Sequence, residues 1–264
     1  MSSRWFHHTV DGEAADVARL AQLATYNFGH FTSMQVRGGC VLGLHLHCDR
    51  LDNASRELFG RRLDPQRVLK VLHRSLTGLQ DASVRLTVYP AEGGTELHLL
   101  ASVGPPQPSD VAALKVHSVQ YERYLPHIKH VATLPLLDLQ RRARLAGFDD
   151  AIFVDATGRI SEGTIWNVGF YDGDEVTWPN APQLSGITMQ LVQAGLAKLG
   201  VRQSVRAVTI DDLTSFRSAF TTFSLGAGRL LACIDARSFI IDEQLSQLIG
   251  RAYELNVPER LEAT

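Results

Sequence analysis

A lysine stands in the middle of HIKHVATL, residues 127–134, a run that otherwise reads as buried. Of the chain's 26 basic residues only four are lysines: Lys70, Lys115, Lys129 and Lys198. Arginine keeps its proton at any accessible pH, whereas a lysine amine can lose it and attack a carbonyl. Lys129 is therefore a candidate nucleophile. In ISEGTIWN, Glu162 places a carboxylate in an otherwise apolar strand, either as an edge-strand surface group or as the partner of a waiting cation. In LSGITMQLV, Gly186 opens a helix. The N–H groups of Ile187 and Thr188 then point away with the positive end of the helix dipole, which suits an ordinary cap and an anion site equally.

Three further stretches carry weaker signals. His45 and His47 in LHLHCD alternate as strand residues would, which could turn both to one side for a metal. No third ligand sits at a recognisable spacing, so a strand-to-helix corner is the favoured reading. SLGAGR, residues 224–229, has one GxG and reads as a tight turn rather than a phosphate loop. Arg50 in HCDRLDNAS reads as a solvated helix residue unless an anion is near.

These residues need elements to hold them. TSMQV and CVLGLHL are strands flanking the Gly38-Gly39 turn, followed by a helix from near His47 to Gly60 and another over residues 67–76. SVRLTVYP and TELHLLASV form a strand pair across Glu92-Gly93-Gly94. After SVGPPQPSD come the strand LKVHSV, an amphipathic helix over 134–146, and a hairpin set with turns at Gly158 and Gly173. A helix over 188–199, the strands SAFTTF and RLLACID, and a helix over 242–255 complete the chain. Mostly antiparallel strands with helices packed on them make the fold α+β. The proline-rich stretch marks a linker (105–112) between a smaller N-terminal α/β domain (1–104) and a larger C-terminal one (113–264).

At 264 residues, 45% hydrophobic and 20% charged, the chain has ample core for this plan. A net charge of −2 without a basic, aromatic-interleaved run argues against nucleic acid as a partner. The opening twenty residues lack the apolar core of a signal peptide, and no apolar run approaches the roughly 20 residues of a membrane span. Cys40, Cys48 and Cys233 are odd in number and share no CxxC spacing, which points to the reducing cytoplasm.

Taken together, the motifs resemble the fold-type IV enzymes dependent on pyridoxal 5′-phosphate, the class IV aminotransferase family. That family includes branched-chain and D-amino-acid aminotransferases and 4-amino-4-deoxychorismate lyase. The resemblance runs from about Tyr26 to Asp235 in the family's order. HCDRLDNAS resembles the H-x-x-R-L segment, implying that Arg50 holds the cofactor phosphate. IKHVATL resembles the segment bearing the imine-forming lysine, implying Lys129. GFDDAIFVDATGRISEGTIWNVGF resembles the long block whose carboxylate, here Glu162, partners the pyridine nitrogen. LSGIT implies the N–H groups of Ile187 and Thr188 as a phosphate cradle, and AFTTFS implies Ser224 as a further phosphate ligand.

The resemblance implies an aminotransferase acting between an amino acid and a 2-oxo acid, with Lys129 as the base at the substrate Cα. It also implies a homodimer with each site partly lined by the partner's N-terminal domain. The alternative within the family is a pyruvate-eliminating lyase, because FTSMQV is similar to that enzyme's F-T-T-A-R-V. Departures fall on the substrate side: NFGHFT replaces the usual GDGVFE, Gln35 replaces a common arginine, and Leu134 replaces a common tyrosine. Ser33, Gln35, Arg37 and Arg85 are the candidates for substrate contact, since the first three alternate along one strand face and Arg85 sits on a strand of the small domain at a position that the resemblance implies faces the site.

Overall fold

The structure, a computed structural model, describes residues 5–94, 96–108 and 112–261. The chain forms two compact units. Unit 1 is Met1–Pro108 with Ile128–Ala132 and Val257–Thr264, and unit 2 is Ser109–His127 with Thr133–Asn256. Residues 109–111 of the expected linker lie outside the described residues.

Unit 1 begins with β1 (His7–Val10), β2 (Glu13–Ala14) and α1 (Val17–Tyr26), three elements additional to those expected. There follow β3 (His30–Val36), β4 (Cys40–Leu42), α2 (Leu44–Phe59), α3 (Pro65–Ser75), β5 (Ala82–Pro90) and β6 (Leu97–Gly104). The five-stranded sheet runs β2-β1-β6-β5-β3 and is antiparallel throughout. Leu51 of α2 and Leu72 of α3 pack on Val84, Leu86, Leu99 and Ala101, all essentially inaccessible, and this cluster is the unit's core.

The expected strand through LHLH is a helix instead. Gly43, in the left-handed conformation at φ 69°, ends β4 at once and starts α2 at Leu44. Two residues apart on a helix, His45 and His47 stand about 200° apart around its axis, so they cannot serve one metal site. His45 is exposed and meets Glu259 at 2.8 Å, while His47 is buried.

Unit 2 contains β7 (Leu114–Gln120), α4 (Leu134–Leu145), β8 (Asp150–Val154), β9 (Ile160–Gly163), β10 (Asn167–Tyr171), β11 (Glu175–Pro179), α5 (Ile187–Lys198), β12 (Arg202–Arg206), β13 (Ser218–Phe223), β14 (Gly226–Ile234), β15 (Arg237–Ser238) and α6 (Glu243–Glu254). Its sheet runs β12-β11-β10-β13-β14-β7-β8-β9, and β9 pairs back onto β10. Six strands therefore close on themselves. The seam is the pair Glu162–Asn167, reinforced by Gly163 N–H donating to Trp166 O at 2.8 Å. Three strand pairs are parallel: β7 with β8, β14 with β7, and β11 with β12. The remaining pairs are antiparallel, so the fold is α+β as expected. The last strand, β16 (Pro258–Arg260), pairs with β4 in unit 1. Among the described residues no helix is long and apolar enough to cross a membrane.

Candidate active site

In unit 1 the segment carrying Lys129 is laid along β3, the last strand of its sheet. Phe31 N–H donates to Lys129 O at 2.8 Å, Val131 N–H donates to Gly29 O at 2.9 Å, and His30 bridges His130. A strand edge left open would expose its N–H and C=O groups, and this segment covers them. Lys129 is half-buried, with its Nζ 5.0 Å from the centroid of the Phe31 ring. The Arg85 guanidinium stacks on the same ring, its carbon 3.6 Å from the centroid.

Ser33 lies directly opposite Arg85 in the β3–β5 register, and Phe31 lies two residues before it. Lys129, Phe31, Ser33 and Arg85 thus gather on one face. Gln35 and Arg37 do not join them in the same way. Gln35 donates to Ser83 Oγ at 2.9 Å and accepts from Arg37 Nη2 at 2.9 Å. Arg37 lies past the end of β3 and also donates to the carbonyls of Val36 and Gln107.

The other face of β3 anchors α2, the helix that carries Arg50. Thr32 Oγ1 lies 2.5 Å from His47 Nδ1, and His30 Nε2 lies 3.0 Å from Ser55 Oγ. Burial holds the His47 pKa well below the usual histidine range, helped by the positive charges of Arg50, His45 and Lys129. Burial pushes His30 down to about 4. Both imidazoles are neutral at neutral pH, so the helix is tied to the strand without burying a charge.

A pH prediction follows for stability. The folded pKa of His30 lies below its ordinary 6.5, so the folded protein binds fewer protons than the unfolded chain at mildly acid pH. Stability present above pH 6.5 is lost as pH falls toward 4, by roughly 2 kcal/mol between pH 7 and pH 5 from His30 alone. Urea midpoints measured at both pH values should show the loss, and His30→Gln should reduce it. An unchanged pH slope in that variant would clear His30 of the effect.

In unit 2, Glu162 is 4% exposed, so it is not an edge-strand surface group. A cation does await it. Arg123 Nη1 lies 3.2 Å from Glu162 Oε1, with both side chains 6% exposed, and Leu184 N–H donates to the same oxygen at 3.3 Å. Arg123 also donates to Pro126 O at 3.3 Å.

The helix start stands beside this pair. Asn167 Nδ2 donates to Leu184 O at 2.8 Å and to Gln183 Oε1 at 3.0 Å, which holds the segment leading into α5. Gly186 is the N-cap, and no side chain caps the helix there. A Cβ on Gly186 would fall 1.9 Å from Asn167 Oδ1, so any side chain there would have to displace the Asn167 amide. Thr188 Oγ1 donates to Phe223 O at 3.0 Å, which fixes the end of β13, and hence Ser224, beside the helix start.

This donor set fits pyridoxal 5′-phosphate. A helix N-terminus without a side-chain cap, next to a serine hydroxyl, suits a phosphate dianion. A buried carboxylate suits a protonated ring nitrogen. Arg123, Asn167 and Phe31 are contributors that the sequence reading did not single out. Asn167 stands in the quoted EGTIWN motif but has no assigned role there, and Arg123 and Phe31 are of common types whose meaning depends on distant partners.

Comparison with known proteins agrees. The family model for amino-transferase class IV matches residues 29–229. A probable branched-chain-amino-acid aminotransferase from Rickettsia bellii (strain RML369-C) is 24% identical over 233 residues, covering 81% of this chain and 80% of that protein. Among solved structures, the branched-chain aminotransferase from Thermoproteus uzoniensis with norvaline superposes with a TM-score of 0.78 at 19% identity, covering 96% of this chain and 99% of that one. A hypothetical aminotransferase from Mycobacterium tuberculosis in its PLP-bound form gives 0.76 at 20% identity, covering 88% and 90%. The chain belongs to the class IV aminotransferases. It is an enzyme of that class, and pyridoxal 5′-phosphate is its cofactor.

Proposed function

We propose that the chain transfers an amino group from an amino acid to a 2-oxo acid, with Lys129 as the amine that links to the cofactor aldehyde. The observation carrying this reading is the placement of Lys129 on one face with Phe31, Arg85 and Ser33. When bound, the cofactor supplies an electron-withdrawing ring that takes up the electron pair left when the substrate Cα–H bond breaks. Glu162 holds the proton on the ring nitrogen, and Arg123 holds Glu162 in place. Arg50, Ser224 and the N–H groups of Ile187 and Thr188 bind the phosphate. Lys129 would accept the Cα proton and deliver it to the cofactor carbon that carried the aldehyde.

The amino donor is proposed from the names of relatives: branched-chain aminotransferases recur among them, so a branched aliphatic amino acid is the first donor to try. The test is a half-reaction. Mixing holoenzyme with one amino acid at a time should convert the cofactor to its amine form, followed by absorbance, without any second substrate. Release of pyruvate from an aminodeoxychorismate-type substrate, with the cofactor unchanged, would instead assign the lyase reaction.

Arg85 is proposed to meet the substrate carboxylate, with Ser33 alongside. Arg85→Ala should raise KM for substrates bearing a carboxylate by roughly 1.5–3 kcal/mol, the worth of a charge-assisted hydrogen bond, and leave simple amines little changed. Equal effects on both kinds would give Arg85 only its stacking role on Phe31.

We infer a homodimer as well, supported by the exposed Leu134, Leu137 and Leu145 on α4, and a solution mass would test it. A cytoplasmic location is supported by three free cysteines, and fractionation of the source cells would check it.

A further inference from the structure

Two adjacent threonines in β13, Thr221 and Thr222, are each 1% exposed, and neither hydroxyl has a hydrogen-bond partner among the described residues. Buried hydroxyls are normally paired, and leaving one unpaired is costly. The strand pleat sends them to opposite faces. Thr221 lines a cavity of about 360 Å³ with Leu114, Trp166 and Arg229. Thr222 faces the other way. It lies directly opposite Asn167, which lies directly opposite Glu162, so the three form one row across β13, β10 and β9 on a single face.

That row leads to the α5 start, because Asn167 grips the residues just before the helix. Ser224 follows in the turn just beyond β13, and Thr188 Oγ1 donates to Phe223 O, which holds that turn to the helix. A β-bulge fixes this arrangement. Thr221 pairs with Arg229 and Thr222 with Ala227, which leaves Gly228 unpaired on β14. Gly228 has φ 84°, and a Cβ there would lie 2.7 Å from Ser246 O. Its packing therefore sets the register that aims Thr222.

We propose that the Thr222 hydroxyl is a further donor to the phosphate group of the bound cofactor, beside Ser224 and the α5 N–H groups. The inference rests on the cofactor reading given above and adds a ligand that reading lacks. An orphaned hydroxyl on the row joining Glu162 to the helix start gains its partner only when the phosphate arrives.

The test compares binding of pyridoxal 5′-phosphate and of pyridoxal to apoenzyme by fluorescence titration, with thermal melting of the apoenzyme alongside. Thr222→Val should melt no earlier than wild type as apoenzyme, since it removes an unpaired buried hydroxyl. Its Kd for pyridoxal 5′-phosphate should rise about tenfold, as expected for losing a hydrogen bond to a charged group, with the Kd for pyridoxal unchanged. Thr222→Ser should stay near wild type in both. Thr221→Val, on the opposite face, should leave both affinities alone. Wild-type affinity for pyridoxal 5′-phosphate in Thr222→Val, or equal weakening of both ligands, would overturn the proposal. Wild-type apoenzyme that fails to take up pyridoxal 5′-phosphate at all would overturn the reading beneath it.

Discussion

Replacing Lys129 with alanine is expected to leave a folded protein that no longer holds its cofactor covalently and turns over ~10³-fold or more slowly. The fold should survive because the segment is fixed through its backbone, by the bonds from Phe31 N–H to Lys129 O and from Val131 N–H to Gly29 O. The half-buried side chain also lies over the Phe31 ring face. Lys129→Arg should fail equally, because it keeps the charge and the ring contact but has no amine that can join a carbonyl. Mass spectrometry after borohydride reduction reads the outcome directly. Lys70, Lys115 and Lys198 are all exposed, and Lys198 Nζ lies 3.4 Å from Leu255 O. A reduced adduct persisting in either variant would have to reside on one of these, and the role proposed for Lys129 would fall.

The residues given these roles differ in how visible they are along the chain. Lys129 stands out because lysine is scarce, and Glu162 because a carboxylate interrupts an apolar run. The start of α5 is visible because glycine precedes a helical pattern. Arg123, Asn167 and Thr222 are ordinary residues in ordinary places. Their significance comes from pairings between distant segments: Arg123 with Glu162, Asn167 with Thr222, and the register set by Gly228. The same distinction holds for the fold. Helices with a clear period and strands flanked by glycine turns are legible to within a few residues. The closure of six strands on themselves depends on β10 pairing with β13 and β14 pairing with β7, long-range pairings without a local signal. Four alternating residues, LHLH, fit a strand and one helical turn alike, and the left-handed Gly43 decides for the helix.

Glu162→Gln separates structure from chemistry at the most buried charge of the proposed site. The amide keeps the shape of the carboxylate and can still accept from Leu184 N–H, but it cannot balance Arg123. Both partners are 6% exposed, so the change takes the Glu162 charge away from a buried guanidinium, at a cost of about 3 kcal/mol in apoenzyme stability. Turnover should fall as well, on the order of 10²-fold or more, because no fixed negative charge remains to keep the ring nitrogen protonated. Adding Arg123→Met to Glu162→Gln distinguishes the two losses. Removing both charges should restore much of the stability, since an apolar replacement for a buried pair is often neutral or better. It should not restore the rate, because the ring still lacks its carboxylate. Recovery of turnover together with stability in the double variant would mean that Glu162 serves the fold through Arg123 and not the ring. Normal turnover in the single variant would place the carboxylate away from the cofactor altogether.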